Sequence, residues 1–422
     1  MPSRTRLQHA CASWPRCTGG PQRTHRRPAN NEGGCRADLC DIPVAIYIDV
    51  SAAVHSRAGL GRYAECLARS LAKQKPGRFA LFYNNARRPW ELTGLERLPR
   101  RSVPLGYKPW RMAVWLGQLA GIGFDRLLPD AELYHATEHL LMPLRSIPTV
   151  LTVHDLIFKL FPQHHKRLNY WFLNAAMPLF VRRANAIITI SESSKRDLIQ
   201  HYGTPAEKIT VIYEAAAPHF QPASPFTVSQ VRREYGLPDR FLLTVGTIEP
   251  RKNLSRLLDA LVRLRADDPH LHLVVVGTRG WLYDAFFRKL RALGLEDSVH
   301  FPGYILDADL PAVYSAATAV VIASLYEGFG LPVLEAMACG APVVSSQASS
   351  LPEIGGEAAR YFDPLDIDDM TTTLRQVLAD EELRAEMREA GLEQAAKFSW
   401  ERAAQETLAV YEQVITKNTG SR

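Results

Sequence analysis

Residues 323–346 read ASLYEGFGLPVLEAMACGAPVVSS, and the predicted fold depends on this stretch. It begins as the end of an apolar strand over residues 319–323, and a glycine-rich turn follows at residues 328–330. Pro332 suits the first turn of a helix, where a proline loses no helical hydrogen bond, and Gly340 suits a left-handed residue at its end. Strand, turn and helix together place backbone N–H groups and a positive helix end at the carboxyl edge of a parallel sheet. Such an edge binds anions, phosphates above all.

Two glutamates flank this turn, Glu327 before it and Glu335 within the helix, with seven residues between them. Because an ionised carboxylate only accepts hydrogen bonds, these side chains favour a ligand rich in hydroxyl donors, such as a sugar. Their arrangement within EGFGLP…EAMACG…PVV resembles the donor-site signature of the retaining glycosyltransferases of family 4, which have the GT-B fold. The alternative, an ordinary strand-turn-helix unit, explains the glycines but not both glutamates.

The length and composition of the chain are typical of a multidomain globular protein. At 422 residues it is longer than one ordinary domain, so two or three domains are expected. An apolar fraction of 46% with 22% charged residues is usual for a soluble protein. No uncharged apolar run reaches the roughly 18 residues that a bilayer span requires. We therefore expect a soluble or peripheral protein.

The first forty residues differ from the rest of the chain. They carry seven arginines against two acidic residues, and so hold most of the formal net charge of +6. Because the segment lacks an apolar core, we expect disorder rather than a signal peptide. Four of the six cysteines lie there in a spacing that fits no standard zinc pattern. We assign residues 1–42 to a disordered basic extension, or to an upstream stretch outside the working protein.

After this extension, apolar strand patterns alternate with helical ones, which predicts parallel sheets with helices on both faces. The predicted fold class is α/β, with two doubly wound, Rossmann-like domains that face each other across a cleft. Residues 43–218 form the acceptor domain, residues 219–237 the linker, and residues 238–397 the nucleotide-sugar donor domain. Ser399 is the predicted cap of a last helix, residues 398–417, which the family resemblance packs back on the first domain. The predicted strands are residues 43–50, 79–83, 132–135, 148–153, 186–190, 209–212, 241–245, 271–276, 299–302, 319–323 and 342–345.

The string EPRKN, residues 249–253, joins a predicted strand to a helix that Asn253 caps. Arg251 and Lys252 above a helix start can hold a diphosphate, because a guanidinium binds oxygens in pairs and an ammonium adds a point charge. A solvated turn is the alternative. EPRKN is also similar to family 4, whose members bind the donor diphosphate with these basic residues. Many members have Gly-Arg where this chain has Gly246-Thr247, so the diphosphate contact falls mainly to Arg251 and Lys252.

A glycine loop, residues 59–63, is the corresponding feature of the first domain. Gly59 and Gly61 allow the backbone to approach a ligand closely, and the helix start that follows offers N–H donors. The family resemblance implies that this loop, with Arg62, faces the donor phosphates and the acceptor across the cleft.

Histidines follow two of the predicted strands. His154, in TVHDL, is placed at the carboxyl edge of its strand, facing the cleft. A lone histidine is more often structural, but the resemblance implies that this one contacts the transferred sugar. His135 and Glu138 end another strand and are weaker candidates for acceptor contacts.

The same resemblance assigns the remaining roles. Glu327 and His154 are the catalytic candidates through contacts with the sugar, and Glu335 contacts the ribose. The donor-binding positions that it implies further are Arg251, Lys252, Gly328, Phe329, Gly330, Leu331 and Tyr304. No carboxylate stands out on the opposite face, which favours front-face attack assisted by the leaving phosphate over a covalent intermediate. No metal and no other cofactor is expected, because no clustered carboxylate site is evident.

Residues 87–111 combine basic and aromatic side chains. This pattern is typical of peripheral contact with an anionic membrane and equally of a solvated loop. Nucleic acid is not an expected partner, since no nucleic-acid motif accompanies the patch. The residues are Arg87, Arg88, Arg97, Arg100, Arg101, Lys108 and Arg111, with Trp90, Tyr107 and Trp110.

The predicted activity is transfer of a hexose from a nucleotide diphosphate sugar to a hydroxyl of a glycan or lipid-linked acceptor. The string GTIEPRKN is most similar to bacterial mannosyltransferases of surface polysaccharide synthesis, including O-antigen and exopolysaccharide, which implies GDP-mannose. Use of a UDP- or dTDP-sugar on the same fold is one alternative, and a non-catalytic scaffold that binds nucleotide sugar is another. The expected location is the cytoplasm, including the inner face of the membrane.

Overall fold

The structure is a computed structural model, and it describes residues 45–55, 58–85, 92, 94–164 and 167–420. The basic extension predicted for residues 1–42 lies outside these residues, as do Arg87, Arg88 and Trp90 of the basic and aromatic stretch. Within the described ranges, a bilayer-crossing helix is absent, because none combines the required length with the required apolar content.

Two parallel sheets form the framework of the described residues, which confirms the predicted α/β fold with two Rossmann-like domains. The first sheet has the strand order β3-β2-β1-β4-β5-β6-β7, and the second has β10-β9-β8-β11-β12-β13. The strand order reverses beside β1 and beside β8, where doubly wound folds bind ligands. The strands are β1 (Ala45–Asp49), β2 (Phe79–Asn84), β3 (Arg100–Val103), β4 (Ala131–Ala136), β5 (Thr149–Val153), β6 (Ala186–Thr189), β7 (Ile209–Val211), β8 (Phe241–Val245), β9 (His272–Val276), β10 (Val299–His300), β11 (Ala319–Ile322), β12 (Val343–Ser346) and β13 (Arg360–Phe362).

Helices cover both faces of the sheets. Alternate residues of β1 belong to different apolar clusters. Ile46 and Ile48 lie in one cluster, and Ala45 and Tyr47 lie in the other, so both faces of the strand are packed. The helices are α1 (Ser51–Val54), α2 (Ala58–Gln74), α3 (Tyr107–Ala120), α4 (Ile157–Leu160), α5 (Arg167–Arg183), α6 (Glu192–Tyr202), α7 (Pro225–Tyr235), α8 (Leu254–Asp267), α9 (Asp284–Ala292), α10 (Leu310–Ala316), α11 (Leu331–Ala338), α12 (Leu351–Gly355), α13 (Ile367–Ala379), α14 (Glu381–Ala396) and α15 (Trp400–Thr419).

Two strands were not predicted from the sequence. Strand β3 is the edge of the first sheet, and Arg100 and Arg101 within it are exposed. Its polar sequence, RRSV, lacks the apolar pattern of a buried strand, because an edge strand beside solvent needs none. Strand β13 is only three residues long, which is too short for a periodic signal.

The predicted linker contains a helix. Helix α7 occupies most of the second half of residues 219–237, and the Ser224 hydroxyl accepts a hydrogen bond from the Thr227 N–H at 3.1 Å. Gly236 ends the helix in a left-handed conformation. Ser-Pro before a helix and glycine after it are helix boundaries as well as linker residues, so the sequence pattern did not distinguish this helix from an irregular linker.

Of the two predicted helix N-caps, one is present. The Ser399 hydroxyl accepts from the Arg402 N–H at 3.1 Å and caps α15. Asn253 precedes α8 with a φ of 58°, but its side chain does not cap the helix. Its amide instead donates to the carbonyl oxygen of Pro364 at 2.7 Å. Asn253 therefore ties the start of α8 to the segment after β13.

The terminal helix α15 packs against α2 and β4 of the first sheet. The Tyr411 hydroxyl lies 2.6 Å from Nδ1 of His135 at the end of β4. The Trp400 ring meets the ring of Tyr63 edge to face, with 5.9 Å between the centroids. The last helix of the chain thus lies behind the edge at which His154 is placed.

Candidate active site

The stretch 323–346 folds as its sequence predicts. Strand β11 ends at Ile322, the turn follows, and α11 begins at Leu331 after Gly330, whose φ is 110°. Only glycine adopts this conformation easily, and a Cβ there would also come within 2.9 Å of Leu351. Pro332 lies in the first turn, and Gly340 follows the helix with a φ of 67°. The start of α11 therefore stands at the carboxyl edge of the second sheet.

Glu327, just before this turn, is buried against Arg251 and Lys252, the two side chains predicted to bind the diphosphate. Lys252 Nζ lies 2.6 Å from its Oε1, and Arg251 Nη1 lies 2.9 Å from its Oε2. The Ser324 hydroxyl also donates to Oε1 at 2.5 Å. Burial alone would raise the pKa of this carboxyl, but the two cations outweigh burial and lower the pKa to about 2. Glu327 is thus ionised throughout the physiological range.

Glu249 is a site residue to which sequence reasoning gave no role, although it lies in the EPRKN string. Arg251 Nη2 donates to its Oε1 at 2.5 Å, so Arg251 is held between Glu249 and Glu327. Burial raises the pKa of Glu249. Gly246 leaves room for the neighbouring cation, because a Cβ there would stand 3.2 Å from Cε of Lys252. The two cations are thereby fixed in position before any ligand arrives.

Glu335 is buried within α11 and links the two domains. Its Oε2 accepts from the Tyr314 hydroxyl at 2.8 Å, and its Oε1 pairs with Arg62 of α2. Arg62 also lies 2.6 Å from Asp307, in the loop before α10. Burial raises the pKa of Glu335, and Arg62 opposes that rise. Tyr314 and Asp307 were missed from sequence, because they lie in segments that match no motif.

The predicted glycine loop is not a loop. Residues 59–63 lie within the first turns of α2, which begins at Ala58. A Cβ on Gly61 would approach the carbonyl oxygen of Ala52 to 3.0 Å, so this glycine allows α2 to pass close to α1. A Cβ on Gly59 would meet only Leu331 Cδ1, at 3.9 Å. The start of α2 and the start of α11 therefore face each other, and a helix rather than a loop makes this contact.

We expect Gly59→Ala to stabilise the protein by about 0.5–1 kcal/mol, because alanine fits this helical position and restricts the unfolded chain. Urea unfolding measures the change. Gly61→Ala is the matched control and should destabilise, since its Cβ meets backbone. If the Gly59 backbone has to approach a phosphate, the stabilised variant loses nucleotide affinity; unchanged affinity would remove this role from Gly59.

His154 follows β5 at the carboxyl edge, as predicted, and is buried there. Its Nε2 lies 2.8 Å from the carbonyl oxygen of Thr137 and donates to it, because a carbonyl only accepts. Its Nδ1 lies 3.3 Å from Oε1 of Glu214, and the rings of His154 and Tyr63 meet edge to face. Glu214 was missed from sequence, although a carboxylate just after β7 is the same kind of signal as His154 itself.

The turn at Gly328 contacts the first domain directly. The Ser191 hydroxyl donates to the Gly328 carbonyl oxygen at 2.6 Å, and the Ser194 hydroxyl donates to that of His154 at 2.8 Å. A Cβ on Gly328 would lie 2.6 Å from the His154 carbonyl oxygen, so only glycine fits. Phe329 is buried and packs against the rings of Tyr213 and Phe398. The turn therefore brings Glu327 and His154 to the same region of the cleft.

Three further candidates from the sequence, two for the acceptor and one for the donor, differ in exposure. His135 is fully buried, with Nε2 2.8 Å from the Thr152 hydroxyl and Nδ1 on Tyr411, so the expected acceptor contact was wrong for it. Burial and His154 lower the pKa of His135 to about 3. Glu138 is also buried. Tyr304 is 79% exposed, in the loop that supplies Asp307.

Both halves of the chain match known proteins. Residues 57–220 match the model of Glycosyltransferase Family 4, and residues 229–394 match that of Glycosyl transferases group 1. The O-antigen chain mannosyltransferase B of Escherichia coli is 35% identical over 281 residues, which are 66% of this chain and 74% of that protein. The serotype-specific mannosyltransferase WbdA of the same species is 32% identical over 273 residues, 62% of this chain and 33% of that one.

A solved structure shares the fold of this chain. The Anabaena protein HepE in complex with UDP and glucose has a TM-score of 0.67 at 22% sequence identity. The match covers 87% of this chain and 99% of the Anabaena protein. At this identity the likeness shows the two-domain fold alone.

Proposed function

Because this chain belongs to the family 4 glycosyltransferases and has the GT-B fold, we propose that it transfers a hexose from a nucleotide diphosphate sugar with retention of anomeric configuration. The acceptor is a hydroxyl of a glycan or of a lipid-linked saccharide. The product belongs to a polysaccharide such as O-antigen or exopolysaccharide. We place this activity in the cytoplasm, at the inner face of the membrane.

The cluster of Arg251, Lys252 and Glu327 carries this proposal. A departing nucleoside diphosphate develops negative charge, and fixed cations beside a helix start stabilise that charge. Glu327 binds both cations and retains acceptor capacity, since each carboxylate oxygen has two lone pairs. Glu327 can therefore accept a hydrogen bond from a sugar hydroxyl beside the bound diphosphate. A nucleotide sugar has such a hydroxyl next to its phosphates. Glu335 and His154 complete the donor contacts, on the ribose and the sugar.

In the proposed mechanism the acceptor attacks from the face that the diphosphate leaves. The bond from the anomeric carbon to the phosphate oxygen breaks, the acceptor oxygen bonds to the same carbon, and the hydroxyl proton passes to the leaving phosphate. Arg251 and Lys252 stabilise the diphosphate, and no step requires a metal. Contacts such as that between Ser191 and Gly328 keep the two domains together and exclude water.

We propose GDP-mannose as the donor. The support is that two similar proteins are named mannosyltransferases, over about two thirds of this chain. A UDP-sugar is the second candidate, because the Anabaena protein of the same fold was solved with UDP and glucose. A nucleotide-binding scaffold without turnover is the alternative of another class. The five donor-site candidates, Glu327, Glu335, Arg251, Lys252 and His154, favour an enzyme over that scaffold.

Calorimetric titration of GDP, UDP and dTDP into the purified chain tests the donor. We expect GDP to bind selectively and Lys252→Ala to weaken its Kd about tenfold or more, because a charge-assisted hydrogen bond is lost. Lys289→Ala is the matched control, since Lys289 pairs with Asp259 at 2.5 Å outside the candidate site. Selective UDP or dTDP binding would contradict the mannosyl donor.

A transfer assay distinguishes an enzyme from a scaffold. Its substrates are sugars linked to the nucleoside diphosphate that binds in the titration. Release of nucleotide with glycosylation of an added saccharide supports transfer. Tight nucleotide binding without turnover on any acceptor would support the scaffold. Equal nucleotide affinity of Lys252→Ala and Lys289→Ala would refute the diphosphate role of Lys252.

A further inference from the structure

His154 and Glu214 form a buried pair at the carboxyl edge of the first sheet. His154 follows β5, and Glu214 lies shortly after the end of β7. Nδ1 of His154 lies 3.3 Å from Oε1 of Glu214, and only 5% and 4% of the two side chains are exposed. An ionised carboxylate buried this deeply is stable when a positive charge or hydrogen-bond donors compensate its charge. The contact with His154 therefore decides whether Glu214 keeps its charge.

The second ring nitrogen of His154 restricts what Nδ1 can do. Nε2 donates to the Thr137 carbonyl oxygen at 2.8 Å and so carries a proton. If Nδ1 carried none, its lone pair would face the lone pairs of an ionised Glu214, and two acceptors repel each other. A proton between Nδ1 and Oε1 removes this repulsion, and an imidazole binds a proton more tightly than a carboxylate does. The contact therefore favours an imidazolium paired with an ionised Glu214.

The surroundings of His154 hold its ring in place. The backbone N–H of His154 donates to Nε2 of His139 at 3.0 Å, and its carbonyl oxygen accepts from the Ser194 hydroxyl at 2.8 Å. The Thr137 carbonyl that anchors the ring is fixed in turn, because the Thr137 hydroxyl donates to the Asp49 carbonyl oxygen at 2.5 Å. The ring therefore has one defined position at the edge of the cleft.

The titratable neighbours of the pair supply no competing charge. Nε2 of His139 accepts the backbone N–H of His154, so this nitrogen carries no proton. Burial and His154 lower the pKa of His135 to about 3, and burial raises the pKa of Tyr63. Burial also raises the pKa of the Cys66 thiol to about 11. These four neighbours are uncharged at neutral pH, so the carboxylate of the pair is the charge that acts on the ring.

We propose that Glu214 is a positioning residue, which keeps a proton on Nδ1 of His154 and fixes the direction of that N–H. The inference rests on the proposed function, in which His154 contacts the transferred sugar. The separation of 3.3 Å exceeds the roughly 2.7–2.9 Å of a full charge-assisted hydrogen bond, so the Nδ1 proton is also available to a sugar hydroxyl. Without Glu214, Nδ1 would present a lone pair to that hydroxyl instead of an N–H.

Two substitutions of Glu214 separate its charge from its shape. Glu214→Gln keeps the length of the side chain and removes the charge, whereas Glu214→Asp keeps the charge on a shorter chain. We expect Glu214→Gln to lower kcat roughly tenfold to a hundredfold, because a hydrogen bond to a charged group is lost. The Kd of the free nucleotide, which has no sugar, should stay unchanged. Glu214→Asp should retain more activity than Glu214→Gln. If Glu214 only filled space, glutamine would be the milder change, and that order would overturn the proposal.

The pH profile of kcat/KM is a second test. Loss of the carboxylate makes the imidazolium easier to deprotonate, so the activity of Glu214→Gln should decline on the alkaline side about one pH unit or more below that of the wild type. Glu132→Gln is the matched control, because Glu132 pairs with Arg78 at the start of β4, at the opposite edge of the first sheet. The control should leave the profile unchanged. A profile that Glu214→Gln does not shift would contradict the proposal.

Long-range NMR correlation of protons with ¹⁵N in labelled histidines tests the pair without turnover. The signals of His154 are those missing from the full chain with His154→Gln. We expect protons on both ring nitrogens at neutral pH in the wild type, and on Nε2 alone in Glu214→Gln. A singly protonated His154 in the wild type would overturn the proposal whether or not the chain transfers sugar. Both nitrogens protonated, with no transfer from any nucleotide sugar, would refute the proposed function and still establish the pair.

Discussion

Glu327→Gln is expected to lower kcat about a hundredfold while changing the affinity for free nucleotide much less. The amide keeps the shape of the side chain but loses the charge that orients Arg251 and Lys252 and accepts from a sugar hydroxyl. Free nucleotide has no such hydroxyl at this position, so its binding retains the two cations. Steady-state kinetics together with calorimetry measures the two effects. Equal losses of kcat and nucleotide affinity would show that Glu327 acts only by holding the cations.

The same substitution is expected to change the pH dependence of stability. The pKa of Glu327 is lowered to about 2, below its ordinary value, so its stabilisation is present above that ordinary value and is lost as pH falls towards 2. The loss amounts to about 3 kcal/mol in the free energy of unfolding. Glu327→Gln removes this contribution at neutral pH, and its stability should vary less between about pH 5 and pH 2.

A matched control separates charge from hydrogen bonding at this site. Ser324→Ala removes the hydroxyl that donates to Glu327 but leaves both ion pairs, so we expect a loss of only about 1 kcal/mol. Urea unfolding over the acidic range measures both variants. A Ser324→Ala variant as unstable as Glu327→Gln would contradict the dominance of the ion pairs.

The sequence predicted the turn at residues 328–330 because its signals are local. Glycine and proline at residues 328–340 each determine the backbone near themselves, and the structure has the turn and helix as predicted. The helix over residues 225–235 was missed because its local signals are ambiguous. Serine, proline and glycine at its ends also occur in linkers. Glycine and proline therefore locate the ends of a segment more readily than they show whether that segment is a helix or a linker.

The site contacts that the sequence did not predict are those between distant segments of the chain. Arg62 was predicted through its motif, yet its partners Asp307 and Glu335 lie 245 and 273 residues away, and no spacing connects them. Glu214 beside His154 was missed in the same way. The sequence thus predicts which segments reach the cleft. Packing of the two domains decides which side chains meet there.

Arg62→Met is expected to destabilise the protein by about 3 kcal/mol, because it leaves the Glu335 carboxylate buried without its cation. The Glu335 side chain is 3% exposed and that of Arg62 is 27% exposed, so solvent replaces little of the lost interaction. The neighbouring Tyr314 hydroxyl remains as a donor but carries no charge. Urea unfolding of the variant at several pH values measures the effect.

The pH dependence identifies the cause. Burial already raises the pKa of Glu335, and loss of Arg62 should raise it further. The folded variant then holds a proton that the unfolded chain releases, so its stability should fall as pH rises through the range between the two pKa values. A loss that is independent of pH would instead indicate missing packing of the arginine side chain.

A double-mutant cycle with Glu335→Gln separates the effect of the buried charge from that of lost packing. If the buried charge is the cause, Arg62→Met with Glu335→Gln should be more stable than Arg62→Met alone, because the amide needs no cation. The same cycle tests function: Glu335→Gln alone should weaken nucleotide binding if this carboxylate accepts from the ribose. If the single glutamine variant binds nucleotide normally and the double variant regains stability, Glu335 joins the domains through Arg62 and does not contact the donor.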